Sequence, residues 1–381
     1  MNKWPHCLLL LILVAPLLSG CWDRLEVEER IFVLAVAIDK AKQEGNSLPD
    51  YEVTVQLAEP RALSGKTPST NMKPVWNVSA TGPSLFDCMR ALTTRVARVP
   101  FYEHLQVIVV SEELAKESLS RPMDLFLRDH EMRRKIALVV TEGPAKKVLN
   151  IQHRLIPVPG IYLSILTKES LRKTARMPKD STVGHFSSDF RAGRDTILTR
   201  VEPKGQYVLM EGGAVIKMDK FVGWFSDLDV RSYRWVNGTV EAGNYVIVKK
   251  HSQVAKNYTT FEVKSMRSII KPHVQNGKPA FTISIRTEGH VGEDGLPPEP
   301  TSEDLLQIEQ LLNEQLKKDV EDIIKKVQKK FGVDIFGFGE KLRRYEYAYW
   351  KKHRDNWDEI FRTVEFDVKV EASIRRIGHV K

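Results

Sequence analysis

Residues 364–375 read VEFDVKVEASIR and alternate without a break between apolar and polar side chains. The apolar members of this stretch are Val364, Phe366, Val368, Val370, Ala372 and Ile374. A strict period of two predicts a long β-strand with one buried and one solvated face, as in a sheet that is covered on one side only. The end of the chain therefore predicts a sheet packed against helices.

The residues upstream of this strand supply those helices. Residues 302–331 place apolar side chains at helical spacing from Leu305 to Phe331. Thr301 and Asp304 have the spacing of a helix cap, and Gly332 is a typical helix end. A second helix is predicted over residues 340–354. Strand-like runs separated by turns rich in Asn and Gly are predicted at 207–217, 221–225, 244–250, 259–270 and 280–287.

The first third of the chain has a different character, with strands and helices in alternation. Residues 31–38 (IFVLAVAI) form a continuous apolar run, which favours a strand covered on both faces. Residues 51–57 alternate as a half-buried strand, and residues 83–98 predict a helix. Further strands are predicted at 105–110 and 136–141. This order is typical of a mixed sheet with helices packed on it.

Together these patterns predict a multidomain α+β protein with mixed and antiparallel sheets. Residues 1–20 are predicted to be a signal peptide, and residues 21–141 an N-terminal mixed α/β domain. Residues 142–205 are punctuated by prolines and are polar and turn-rich at 177–195, so they predict a smaller middle subdomain. Residues 206–381 are predicted to be a C-terminal α+β domain with an antiparallel sheet and one long helix.

Composition excludes several classes of protein. The chain has 381 residues, which corresponds to two or three domains. Beyond the N-terminal segment it has no long apolar run, which excludes a multi-span membrane protein. Three cysteines are too few for a disulfide scaffold. A formal charge of +9 is spread along the chain, and it permits binding to anionic partners without requiring it.

The N-terminal segment predicts export and anchoring. Lys3 precedes an apolar stretch at residues 8–18 that is too short to span a membrane. It ends in Leu-Ser-Gly-Cys at residues 18–21, which resembles the lipobox of bacterial lipoproteins. In that motif the cysteine thiol is acylated and the signal is cleaved on its amino side, here between Gly20 and Cys21. The alternative is an ordinary signal peptide that happens to precede a cysteine.

The sequence has no complete motif for a nucleotide-binding, metal-binding or catalytic site. The Gly-Lys-Thr at 65–67 lacks the earlier glycine of a phosphate-binding loop, since that position holds Pro60. His130-Glu131 lacks the second histidine of a zinc-protease helix, because residue 134 is arginine. The basic run at 351–354 beside aromatic residues is better explained as the end of a helix than as a nucleic-acid site. We therefore predict no catalytic, cofactor or metal residues, and Cys88 is predicted to be a buried, inert thiol.

Several blocks in chain order resemble one known family. The blocks are CWDR at 21–24 with Glu26, IFVLAVAIDK at 31–40, residues 101–112 and 126–128, EGGAVIKMDKFVGWF at 211–225, DIFGFGE at 334–340, Trp350, NWDEI at 356–360, and residues 374–376 with Gly378. They are similar to the Ger(x)C family, the C-subunit lipoproteins of germination receptors in spore-forming bacteria. Family members often have a proline before the position of Trp350, and residues 344–349 here have none.

The resemblance implies a lipoprotein on the outer face of the inner spore membrane, with integral-membrane A and B subunits as partners. The complex would respond to small nutrients, whether or not this chain binds a small molecule directly. The alternative is an extracytoplasmic solute-binding lipoprotein, although that class is usually built from doubly wound α/β lobes. A cell-wall hydrolase would need a catalytic set that the sequence does not offer.

Overall fold

The structure is a computed structural model that describes residues 4, 29–42, 50–59, 73–171, 173–248, 258–293 and 301–377. The described chain forms two sheets, of ten and four strands, each covered by helices. This arrangement confirms the α+β fold predicted from the sequence. The predicted signal peptide apart from residue 4, Cys21 and the loop at 65–67 lie outside the described residues. Within the described part of the chain, no helix combines the length and apolar character needed to cross a membrane.

The first sheet has a parallel centre and antiparallel edges. Its strands are β1 (Arg30–Lys40), β2 (Tyr51–Ala58), β3 (Val75–Gly82), β4 (Val99–Phe101), β5 (Val107–Ser111), β6 (Ala137–Thr141), β7 (Thr196–Lys204), β8 (Tyr207–Leu209), β9 (Gly213–Lys217) and β10 (Lys220–Phe225). Their order is β10-β9-β7-β6-β5-β1-β2-β3, with β4 beside β1 and β8 beside β7. Strands β1, β5, β6 and β7 run parallel, which explains why β1 is apolar on both faces.

Helices cover both faces of this sheet. They are α1 (Leu85–Thr93), α2 (Glu112–Glu117), α3 (Ser120–Arg128), α4 (Lys146–Leu149), α5 (Pro159–Leu171) and α6 (Val183–Arg191). One face packs around residues such as Val36, Val110 and Phe126, and the other around Ala35, Val107 and Leu163.

The second sheet is crossed by one long helix. Helix α7 (Asp227–Val236) leads from the first sheet to strands β11 (Asn244–Val248), β12 (Tyr258–Gln275) and β13 (Lys278–Glu293). Then follow α8 (Ser302–Lys326), α9 (Phe338–Tyr345), α10 (Tyr347–His353), α11 (Trp357–Phe361) and the last strand, β14 (Glu365–Ile377). Strands β11 to β13 are antiparallel, whereas β14 runs parallel to β13. The parallel pairing is possible because four helices carry the chain back to the start of β13.

The alternation at the end of the chain is confirmed as one buried and one solvated face. Val368 and Ala372 are 1% and 5% exposed, and Lys369 between them is exposed. The long helix is also confirmed, including the cap in which Thr301 and Asp304 bond to each other's backbone. Its last turn, Val327–Phe331, widens into a π-helix before Gly332 adopts a left-handed conformation.

The strand predicted to be half-buried at 51–57 is buried on both faces, and the run at 207–217 is two strands. Two predictions about helical segments are also wrong. The helix predicted over 340–354 is two helices, because Glu346 leaves the helical region with φ −132° and ψ 51°. The stretch at 177–195, predicted to be turns, contains α6, which Thr182 caps by accepting a bond from the backbone of His185. Helix α6 buries few apolar side chains, chiefly Val183 and Phe186, so its apolar period is too weak to read. Strand β7 continues from it into the ten-stranded sheet, and the proposed domain limits stay a prediction.

Candidate functional site

Three of the sequence blocks that resemble the family meet where the two sheets join. A cavity of about 200 Å³ separates the turns around β7 and β9 from helices α9 to α11. We call this place the junction; its lining includes Asp195, Lys217, Met218, Asp334, Gly339, Trp350, Trp357 and Asp358. Residues 211–225, 334–340 and 350–360 therefore converge on one site although they are distant in sequence.

Close backbone packing holds β10 against the end of α8. Gly223 has φ 156°, and a Cβ atom there would lie 2.6 Å from the ring of Phe331. The rings of Phe225 and Phe331 are in edge contact at 5.4 Å. Lys326 forms an ion pair with Asp229 of α7 at 2.6 Å. A side chain at position 223 would push the long helix away, so glycine is required at this contact.

Asp334 organises the loop between α8 and α9. Its Oδ1 accepts a hydrogen bond from the backbone N–H of Phe338 at 2.9 Å. Its Oδ2 accepts bonds from the N–H of Gly339 at 2.6 Å and from the indole N–H of Trp357 at 3.0 Å. Burial raises the pKa of Asp334, although these donors act in the opposite direction. One carboxylate thus fixes the start of α9 and the position of α11.

Asp195 connects this loop to the first sheet. It lies directly before β7, and its Oδ1 accepts a bond from the N–H of Met218 at 2.9 Å. Its Oδ2 accepts a bond from the N–H of Asp334 at 3.1 Å. Burial and the nearby charges of Asp334 and Asp358 raise the pKa of Asp195 to about 6. Asp195 therefore joins the turn after β9 to the loop of Asp334 across the junction.

The remaining charges at the junction are matched by charges of opposite sign. Lys217 pairs with Asp358 at 2.6 Å, and Arg343 pairs with Glu340 at 2.6 Å. Arg194 pairs with Asp189 at 2.7 Å. Among the described residues no group of three or more His, Cys, Asp or Glu could hold a metal ion. The geometry of the junction suits the rigid joining of two sheets, because its carboxylates are occupied by backbone donors and by cations.

A second connection lies beside the junction. Arg234 of α7 is completely buried and donates hydrogen bonds to the carbonyl oxygens of Thr174 at 3.0 Å, Met177 at 3.2 Å and Thr239 at 3.1 Å. Burial lowers the pKa of Arg234. Since residues 174 and 177 precede α6, this guanidinium ties the segment between α5 and α6 to the helix that leads into the second sheet.

The residues singled out in the sequence have different outcomes. Gly20 and Cys21 lie outside the described residues, so lipidation and cleavage there stay predictions. Cys88 is completely buried, and burial raises the pKa of its thiol to about 11, which makes it a poor nucleophile. Asp334 was noticed only as part of a block, and Asp195 was missed because an isolated aspartate before a strand carries no motif.

Two protein-family models match successive parts of the chain. Residues 23–203 match the family model "Spore germination protein N-terminal domain". Residues 211–378 match the model "Spore germination B3/ GerAC like, C-terminal". The two matches together take in nearly all of the sequence after the predicted anchor.

Individual relatives match over the same length. Spore germination protein B3 of Bacillus subtilis is 27% identical, and the match covers 95% of each chain. Spore germination protein YndF of the same organism is 26% identical over 95% of this chain and 94% of its own. The crystal structure of the GerBC protein shares the fold, with a TM-score of 0.59, 24% identity, and coverage of 89% of this chain and 96% of that one.

Proposed function

This chain belongs to the Ger(x)C family of spore germination proteins, and we propose that it is the lipid-anchored, non-enzymatic C subunit of a germinant receptor complex. Its partners in this proposal are the integral-membrane A and B subunits of the same receptor. The complex lies on the outer face of the inner spore membrane and responds to small nutrients.

The observation that supports this proposal most is the way in which the carboxylates of the junction are bonded. Its two carboxylates, Asp195 and Asp334, line the cavity, and both oxygens of each accept bonds from backbone or indole N–H groups. A general acid or base must exchange a proton with a substrate atom, and these oxygens are already engaged in holding the fold. A rigid two-sheet body held at a membrane suits a protein that works by contact, since tethering raises its effective concentration near membrane partners.

A solute-binding lipoprotein is the second candidate, and one observation favours it. An open groove of about 510 Å³ runs beside the start of β3, lined by residues that include Trp76, Asn77 and His153. Its volume falls within the range of small-molecule sites. Titration of the purified protein with candidate nutrients in a calorimeter separates the two: binding heat without A and B subunits supports the solute-binding function, and its absence supports the receptor subunit.

Anchoring is tested at Cys21. Lipidation needs a thiol, so Cys21→Ala and Cys21→Ser are both expected to leave an unprocessed precursor without fatty-acid label. Since stable anchoring takes two or more acyl chains, these variants should also leave the membrane fraction. The matched control is Cys88→Ser, which should keep full label. Undiminished labelling of the Cys21 variants would contradict the anchor.

The partners are tested by affinity purification of the tagged lipoprotein from detergent-solubilised spore membranes. We expect the A and B subunits of the proposed receptor to co-purify. Their loss from the Cys21→Ala sample would show that anchoring precedes assembly. Recovery of the lipoprotein alone, under conditions that keep other membrane complexes intact, would contradict the proposed complex.

A further inference from the structure

Helix α5 is apolar on more than the side that it buries. From Pro159 to Thr167 it has no charged residue. Tyr162 and Leu163 pack into the core of the first sheet, whereas Ile161 and Ile165, one turn apart, are 36% and 40% exposed. A helix with apolar residues around most of its circumference is normally covered on all sides or lies in a membrane interface.

Three contacts show at which end of the first sheet α5 lies. Gly160 lies against the backbone of Leu34 in β1. A Cβ atom added to Gly160 would lie 2.9 Å from the carbonyl oxygen of Leu34. Ser164 donates a hydrogen bond to the side chain of Gln106, the residue directly before β5. Thr167 lines the same small cavity as Ala137, the first residue of β6. Helix α5 therefore crosses the amino ends of three parallel strands.

Other exposed apolar side chains surround this end. Trp76, in the part of β3 that pairs with Leu57 near the start of β1, is 51% exposed. Val99, whose strand pairs with β1 at Arg30, is 48% exposed. Leu155, in the loop that leads to α5, is 86% exposed. We call Trp76, Val99, Leu155, Ile161 and Ile165 the amino-end surface. A contiguous apolar patch marks an interaction site, and these five side chains lie at the same end of the first sheet.

The length of chain before β1 limits what can cover this surface. The description of β1 and its approach begins at Glu29, eight residues after Cys21. Eight residues span at most about 29 Å when fully extended. The acyl chains proposed on Cys21 therefore hold Glu29, at the approach to β1, within that distance of the lipid. The amino end of β1 is thus the part of the first sheet that the tether attaches to the membrane.

We propose that the amino-end surface rests on the lipid bilayer itself, with Ile161 and Ile165 inserted at the level of the headgroups and Trp76 beside them. Tryptophan is suited to that depth because its ring is apolar and its indole N–H can stay hydrated. The proposal rests on the lipid anchor of the proposed function, and it adds an orientation: the first sheet stands with its amino ends toward the membrane.

The charges near this surface indicate that apolar contact supplies the attraction. The charged residues near this surface are of both signs: Arg30, Lys73, Arg98, Lys135, Arg154 and Lys168 against Glu29, Glu59, Glu103 and Glu169. A polybasic surface would gain much affinity from anionic lipids, whereas a surface on which acidic residues offset most of the basic ones gains little. Insertion should therefore occur in neutral as well as in anionic bilayers.

The test is a depth measurement on the full-length lipidated protein in vesicles. A spin label on Leu155→Cys reports the amino-end surface, and a label on Leu306→Cys is the matched control. Leu306 is also an exposed leucine, at 64%, but it lies on α8 beside the second sheet. The remaining thiol, Cys88, is buried and does not react. Vesicles of phosphatidylcholine, with and without phosphatidylglycerol, carry the protein, and flotation measures anchoring.

We expect the label at 155 to lose its collisions with a water-soluble nickel chelate in both types of vesicle, while the label at 306 keeps them. Protein that floats with an aqueous label at 155 would overturn this proposal and leave the anchor standing. Protein that fails to float would overturn the anchor and this proposal together. Protection at 155 only in spore membranes would overturn contact with lipid and assign the surface to a protein partner. Insertion that requires the anionic lipid would overturn its apolar basis.

Discussion

Asp334 is the residue that connects the helices of the junction to one another and to the first sheet. Its carboxylate accepts three hydrogen bonds from two helices, and its own N–H donates to Asp195. Those two aspartates are 139 residues apart in the chain, so no pattern of local spacing could have placed them together. The sequence identified residues 334–340 as a block that resembles the family, but it did not predict which N–H groups the carboxylate of Asp334 would bind.

Removal of the Asp334 carboxylate should destabilise the protein. In Asp334→Ala three N–H donors lose their acceptor, and buried unsatisfied donors cost about 1–3 kcal/mol each, so we expect a loss of about 3 kcal/mol or more. Asp355→Ala is the control, because the side chain of Asp355 is 90% exposed. Urea unfolding of both variants measures the difference. Equal unfolding midpoints would contradict the role given to Asp334.

The raised pKa of Asp195 predicts a pH dependence of known sign. Because its pKa is about 6 in the folded protein and near 3.8 when unfolded, the folded state binds more protons in that interval. Its contribution to the free energy of unfolding is therefore largest at low pH and is lost as pH rises through 6. From pH 7 to pH 5, wild type should gain about 1 kcal/mol relative to Asp195→Asn. Parallel melting-temperature profiles of the two proteins would contradict this.

Among the elements, those with a continuous apolar face or run were predicted correctly, whereas α6 and the break at Glu346 were missed. Helix α8 and strand β14 were identified because each buries one continuous face. Helix α6 was missed, since only two of its apolar side chains, Val183 and Phe186, are fully buried. The break at Glu346 was also missed, because the helical pattern continues across it. Beyond the break the rings of Trp350 and Trp357 contact at 5.7 Å, a long-range contact that local spacing does not reveal.

The two faces of β14 give the sharpest test at the level of elements. Val368 is 1% exposed, so Val368→Asp buries an unpaired carboxylate, and we expect a loss of several kcal/mol or failure to fold. Lys369→Asp changes a side chain that is 69% exposed and should cost far less. Thermal unfolding of the pair compares them directly. Equal losses would show that the strand is not buried on one face.

At the scale of the whole molecule, the sequence predicted an α+β protein but not how the two sheets are joined. The middle segment was expected to be a small subdomain, and its strand β7 lies between β6 and β9 in the first sheet. Parallel pairing of β7 with β6 depends on contacts between distant parts of the chain. The connections through Asp195 and Arg234 likewise exist only once the chain has folded.

The globular part should fold without its anchor. Every strand and helix named here lies after residue 28, and the described apolar cores of both sheets consist of residues beyond it. We expect residues 22–381 to give a product with mixed α/β circular dichroism and a cooperative melt. A disordered product, reproducible in several expression hosts, would contradict the description of the two sheets as a self-sufficient body.

The central claim is that this protein transmits a nutrient signal as the anchored subunit of a receptor. Its most direct test is the rate of spore germination in a strain that lacks this chain, complemented with wild type, Cys21→Ala or Cys88→Ser. We predict that the deletion and Cys21→Ala abolish or sharply slow the response to the nutrients of its own receptor, while Cys88→Ser and triggers that bypass nutrient receptors act normally. A normal nutrient response in the deletion strain, with no paralogue to substitute, would contradict the claim.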